Sequence, residues 1–194
     1  MLHNYYNVIN KIYLLRMGLN LQPKNLTNYA VKLVPLQELD FERLFVVAQD
    51  PLIWEQHPNP NRYLLEDFKK YFEGAMLSNG AFVAFDAISN QVVGCTRFYD
   101  LNAETKSIKI GYTFISRKFW GTNFNKNMKS LMINYAFEKL ENVIFEIGAN
   151  NFRSQKAIEK IGATKIGEQT IEYYGEKPKM NFIYKVIKYK NTQH

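Results

Sequence analysis

Residues 115–126 read Ile115-Ser116-Arg117-Lys118-Phe119-Trp120-Gly121-Thr122-Asn123-Phe124-Asn125-Lys126, a glycine with basic flanks where an apolar run gives way to a helical pattern. Glycine lets the backbone approach a ligand closely, and the first turn of a helix carries unpaired N–H groups and the positive end of its dipole. This combination suits a pyrophosphate, with Lys118 and Lys126 adding charge at either end of the turn. The plainer reading is a tight turn at Gly121 and a capping residue at Asn125, and the loop alone does not decide between them. Other chemistries have less to work with. A single cysteine, Cys95, excludes an intramolecular disulfide, and three scattered histidines give no cluster at metal-ligand spacing. No metal is expected.

The elements that must position this loop follow from periodicity. A first strand is predicted over 30–36, a helix from Leu39 through Ala48 until Asp50-Pro51 breaks it, and a second helix over 65–76 ending by Gly80. Between the helices, residues 54–60 form a proline-marked loop. Apolar runs at 81–85, 92–99 and 108–115, separated by turn-like residues, predict an antiparallel meander. Phe124, Met128, Leu131, Met132, Tyr135 and Ala136 share one helical face, with Lys126, Lys129, Ser130 and Lys139 assigned to the opposite, solvent face. A buried strand at 143–147, a short helix at 151–161 closed by Gly162, and strands at 165–166 and 181–187 complete the order. The expected fold class is α/β (α+β), a mixed twisted sheet of about seven strands with helices on both faces. Residues 1–28 read as an N-terminal extension, partly disordered and with Met17 as an alternative start to Met1, ahead of one domain over 29–194.

Composition sets the class. Of 194 residues, 46% are hydrophobic and 15% aromatic, which supports a packed core and opposes disorder. The N-terminal segment lacks the apolar core and cleavage site of a secretion signal, and no stretch approaches the roughly 18–20 apolar residues of a bilayer span. A soluble protein of the reducing cytoplasm is expected, with no membrane partner. The net charge of +7 and pI of about 9.3 favour anionic partners without choosing among them. The C-terminal lysines Lys177, Lys179, Lys185, Lys188 and Lys190 read as a solvated strand face of the kind that blunts a sheet edge.

Asn151-x-x-Ser154, followed by Ile158-Glu159-Lys160-Ile161-Gly162, resembles the second signature of the GNAT acetyltransferases. Lys118-Phe119-Trp120-Gly121-Thr122-Asn123 is similar to their first, Gln/Arg-x-x-Gly-x-Gly/Ala. Trp120-Gly121, Ile110-Gly111-Tyr112, and the Asp50-Pro51 loop with Trp54 resemble the Rim-type branch, named for enzymes that acetylate ribosomal proteins. The resemblance runs over about residues 30–187 and implies the GNAT fold, acetyl-CoA as acyl donor, and transfer to a primary amine of a protein N-terminus or small molecule. It implies that Lys118, Trp120, Gly121, Thr122, Asn123, Phe124, Asn125 and Lys126 surround the phosphates. Phe114 and Ile115 would offer backbone N–H groups to the thioester and pantetheine arm, and Asn151 would contact that arm.

The same resemblance supplies the chemistry only in part. Where many members have a tyrosine acid this chain has Ile158, so Ser154 is the candidate to protonate the leaving thiolate, helix capping being its other reading. Where a glutamate base often stands this chain has Lys109, so Glu146 is the candidate base. The resemblance also implies that Trp54, Glu55, His57 and Tyr63 fall on the acceptor wall; Tyr112 is a further substrate-binding candidate, and Tyr112 and His57 are weaker candidates for the base than Glu146. Lys118 and Asn123 also depart from the first signature. The substitutions leave open a GNAT-like domain that only binds coenzyme A or a partner. A basic RNA-binding module accounts for the charge but not for Asn-x-x-Ser, so nucleic acid is disfavoured. A homodimer is compatible with all of these.

Overall fold

In the computed structural model, which describes residues 18–172 and 177–188, one mixed sheet runs in the order β1-β2-β3-β4-β5-β6-β8-β7. Its strands are β1 Leu26–Thr27, β2 Val31–Pro35, β3 Ala81–Asp86, β4 Val92–Asn102, β5 Ser107–Ile115, β6 Asn142–Gly148, β7 Thr164–Ile171 and β8 Lys179–Ile187. The helices are α1 Phe41–Ala48, α2 Leu65–Leu77, α3 Phe124–Phe137 and α4 Phe152–Glu159. Every pairing is antiparallel except β5 with β6. Among the described residues no helix is long and apolar enough to cross a membrane.

The central strand β3 runs Ala81-Phe82-Val83-Ala84-Phe85, all five buried, as a strand covered on both faces must be. Alternation divides its side chains between two cores. Phe82 and Ala84 join Phe98, Met128, Met132 and Ala136 beneath α3, while Val83 and Phe85 join Leu44, Trp54, Phe68 and Phe72 beneath α1 and α2. Neighbouring β4 divides likewise, Phe98 lying in the first core and Cys95 in the second.

Two features of β5 open the sheet along its second half. It pairs with β6 only at Ser107↔Asn142, Ile108↔Val143 and Lys109↔Ile144, and beyond these the parallel strands part. Toward β4, Cys95 pairs with Phe114 and Arg97 with Gly111, leaving Tyr112 and Thr113 opposite Thr96 alone. This is a bulge; Tyr112 lies at φ +49°, uncommon for a non-glycine residue, and its carbonyl accepts a 2.6 Å bond from the Tyr71 hydroxyl.

The observed order of elements follows the predicted one, with differences of extent and place. The sheet has eight strands among the described residues rather than about seven: β1, only two residues long, lies inside the segment read as an extension and pairs with β2. Leu19 and Leu26 are buried in the main core. Residues 1–17, with the possible start at Met17, lie outside the described residues, as does Lys190. The predicted strand at 165–166 is longer and forms the sheet edge, whereas β8, with Lys179 and Lys185, is inserted between β6 and β7. The lysines of β8 therefore do not blunt an edge. Lys129, assigned to the solvent face, is 3% exposed and packs inward.

Candidate active site

Where β5 and β6 part, a cavity of about 480 Å³ opens. Its walls come from both strands past their last pairing, the starts of α3 and α4, and the 54–58 loop. That loop lies tight on the end of β6: a Cβ at Gly148 would come within 2.6 Å of the Pro58 ring.

One end of the cavity is the turn into α3. Gly121 adopts φ +74°, in the region that favours glycine, and Asn123 precedes the helix. Thr122 Oγ1 accepts from the Phe124 N–H at 3.2 Å. The N–H groups of Gly121, Asn123, Asn125 and Lys126 find no acceptor among the described residues. Four free donors and a helix dipole facing a cavity form an anion cradle. Lys126 lines it; Lys118 is exposed on the preceding 3-10 turn and does not.

The start of α4 forms the opposite lip. Buried Asn151 caps the helix, its Oδ1 accepting from the Ser154 N–H at 3.1 Å. The cap belongs to Asn151, so the Ser154 hydroxyl makes no hydrogen bond among the described residues, and Ser154 lines the cavity. Arg153 ties the lip to its neighbours. Its Nη2 donates to the Ile53 carbonyl at 3.0 Å, its backbone N–H donates to Gln56 Oε1 at 3.1 Å, and its guanidinium lies 3.8 Å from the Trp120 ring centroid.

Two ionisable groups face the interior. Glu146, its side chain 5% exposed, pairs with Lys109 at 2.5 Å and accepts from the Tyr99 hydroxyl at 3.2 Å. Burial opposes the charge of Lys109, but Glu146 and Asp100 outweigh it and hold the lysine above its ordinary value. Lys129 comes from α3 on the other side, its Nζ donating to Thr113 Oγ1 at 2.5 Å and Thr96 Oγ1 at 3.1 Å beneath the bulge. With hydroxyl partners and no carboxylate paired to it among the described residues, burial lowers this amine to about 7.

On the wall formed by the 54–58 loop, His57 is held well below its ordinary value by burial and by the neighbouring Arg62 charge, so the ring is neutral at physiological pH. Trp54 is anchored in the second core, Nε1 donating to the Ala48 carbonyl at 2.7 Å. Tyr112 projects from the bulge.

Of the residues singled out in the sequence, the cavity gathers Trp54, His57, Tyr112, Phe114, Ile115, Trp120, Gly121, Thr122, Asn123, Asn125, Lys126, Glu146, Asn151 and Ser154. Glu55, Tyr63, Lys118 and Phe124 do not line it: Glu55 is exposed beside Arg153, Tyr63 packs on the second core, and Phe124 sits in the first. Sequence reasoning missed Arg153 and Lys129, both of which line the cavity. Lys129 follows Met128 and precedes Met132 by three, spacing that places it on the buried stripe.

The family described as the Acetyltransferase (GNAT) domain matches residues 31–164. No curated protein matches in sequence. Among solved structures, a GCN5-related N-acetyltransferase from Brucella melitensis superposes with TM-score 0.72 at 17% identity, covering 86% of this chain and 81% of that one. The microcin C7 self-immunity acetyltransferase MccE, solved with acetyl-CoA and AMP, gives 0.69 at 16% over 87% and 98%. Spermidine N-acetyltransferase from Vibrio cholerae, solved with CoA and spermine, gives 0.63 at 14% over 82% and 96%. At these identities the likeness is one of fold.

Proposed function

The chain belongs to the GNAT acetyltransferase family, and we propose that it moves an acetyl group from acetyl-CoA directly to a primary amine of a protein N-terminus or small molecule. The observation that carries this reading is the α3 cradle opening into the cleft between β5 and β6. Free N–H groups at one end suit phosphates, and an apolar cleft between parted strands suits a pantetheine arm. Neighbours of the same fold bind CoA or acetyl-CoA, which supports the same donor here.

In the reaction, the neutral amine nitrogen bonds to the acetyl carbon, the C–S bond breaks, the amine gives up a proton, and the thiolate takes one. Glu146, buried beside the cleft, is the base, directly or through a water; its ion pair with Lys109 fixes the carboxylate in place. The Ser154 hydroxyl, free of the capping role, is the group that gives the sulfur its proton. The backbone N–H of Ile115, turned away from β4, is the donor for the thioester carbonyl; that of Phe114 faces β4, on the same side as the Ser116 N–H that bonds the Val93 carbonyl. A reducing cytoplasm suits the single cysteine, Cys95, which is buried and free.

The test is calorimetry with acetyl-CoA followed by thiol release over a panel of protein N-terminal peptides, amino acids, polyamines and amino sugars. Binding together with amine-dependent thiol release is expected. Binding without release on any amine would leave a CoA-binding domain, and no binding would remove the donor itself.

A further inference from the structure

Lys129 is 3% exposed and lines the cavity, whereas a lysine on a helix ordinarily reaches solvent. A buried amine without a counter-charge is costly, so its place calls for a reason. Its Nζ stands between the two strands that part. On β5 it meets Thr113 Oγ1 at 2.5 Å, and toward β6 it lies 6.0 Å from the centroid of the Phe145 ring; Thr113 and Phe145 both line the cavity. The amine is held at the gap rather than behind one strand.

Its hydrogen bonds leave it nucleophilic. The Thr113 hydroxyl donates to the Gly111 carbonyl at 3.3 Å and the Thr96 hydroxyl to Met132 Sδ at 3.6 Å. Both hydroxyl oxygens are therefore open to the two N–H groups of a neutral amine, at 2.5 and 3.1 Å, and the nitrogen lone pair is uncommitted. Burial lowers this amine to about 7, so much of it is neutral at physiological pH. Among the described residues the titratable group that bears on it is the Cys95 thiol of β4, itself pushed up by burial to about 11 and so uncharged. Glu146 of β6 is engaged by Lys109. A desolvated, neutral lysine is the activated form of this nucleophile. The Ile115 N–H, the donor for the thioester carbonyl, is two residues along β5 from Thr113, roughly 7 Å, so a thioester held there lies beside the amine.

We propose that Lys129 is a self-acetylation site: when no acceptor amine stands in the cleft, bound acetyl-CoA gives its acetyl group to Nζ. The proposal rests on the donor half of the acetyl-transfer reading. The nitrogen lone pair bonds to the acetyl carbon, the C–S bond breaks, and the amine's proton goes to the thiolate, so the products are Nε-acetyl-lysine and CoA. An amide is a far poorer acyl donor than a thioester, so the modified chain does not pass the group on.

The test incubates the full chain with acetyl-CoA and no amine and maps acetyl groups by peptide mass spectrometry, with acetyl-CoA binding read separately by calorimetry. Lys129 is expected to be acetylated at least about tenfold faster than the exposed Lys139, and excess desulfo-CoA should suppress labelling at Lys129 and not at Lys139. The Lys129 rate should level off above pH about 7, whereas the Lys139 rate keeps rising toward about 10. Lys129→Met should lose this label and keep the slow labelling of exposed lysines. Binding of acetyl-CoA with Lys129 unmodified, or modified no faster than Lys139, overturns the proposal and leaves the donor reading standing. Labelling of Lys129 that desulfo-CoA does not suppress overturns it too, since chemical acetylation from solution then accounts for the label. No binding of acetyl-CoA removes the donor reading and this proposal with it.

Discussion

Lys129 sits in the core with two threonine hydroxyls for partners, and its titration makes this measurable. Folding depresses the amine from 10.5 to about 7, through burial. Between those values the unfolded chain binds a proton that the folded chain does not, so the contribution is fully present above about 10.5, declines as pH falls, and levels off below about 7. Lys129→Met should therefore raise Tm at pH 7, by the equivalent of a few kcal/mol at order of magnitude, and flatten the slope of Tm between pH 7 and 10. Thr96 and Thr113 remain paired at 2.8 Å without it, so the substitution orphans neither hydroxyl. Turnover should fall roughly tenfold, because Nζ braces the bulge that positions the Ile115 N–H. Equal Tm slopes in the two proteins would refute the buried neutral amine. Glu146→Gln keeps the shape of the side chain but removes the proton acceptor; turnover should drop about a hundredfold and the acid limb of the rate profile flatten. An unchanged profile would exclude Glu146 as base. Neither environment was legible from residue type: a lysine on a helix reads as solvent-facing, and only its spacing from Met128 and Met132 says otherwise. The Lys109–Glu146 pair depends on the β5–β6 register, which sequence does not contain.

At the scale of elements, α3 carries a conflict between stability and ligand. Its first turn has no acidic residue and bears Lys126, a cation at the positive end of the dipole. Lys126→Glu should therefore stabilise the isolated protein, by about 0.3–1 kcal/mol, seen as a small rise in Tm. In the same variant the Kd for acetyl-CoA should rise on the order of tenfold, because a carboxylate then faces the phosphates. A rise in Tm with unchanged Kd would remove the phosphates from this turn. The order of elements and the two motifs were readable because each depends on local spacing: Gly121 and Gly162 both take positive φ where a turn or helix end was expected. β1 was not, since two residues show no alternation. Nor was the insertion of β8 between β6 and β7, because which strands neighbour one another is decided by nonlocal pairing. The bulge at Tyr112 has the same origin. It needs Thr96 opposite and the Tyr71 hydroxyl on its carbonyl, contacts that lie far apart in sequence.

For the whole molecule, two cores clamp one sheet that is continuous except where β5 and β6 part, so the cleft is a gap in the sheet lined by backbone rather than a fold of loops. Around it the chain carries a net charge of +7, and the phosphate-bearing donor is strongly anionic. Charge of this kind acts on encounter, over distances that salt screens, whereas the cradle N–H groups act at contact and are screened much less. Raising ionic strength from about 50 to about 500 mM should therefore lower kcat/KM for acetyl-CoA several-fold while leaving kcat at saturating donor nearly unchanged. Stopped-flow thiol release across a salt series at limiting and at saturating donor reads both constants. A donor kcat/KM indifferent to salt would leave the basic surface without a role in catalysis.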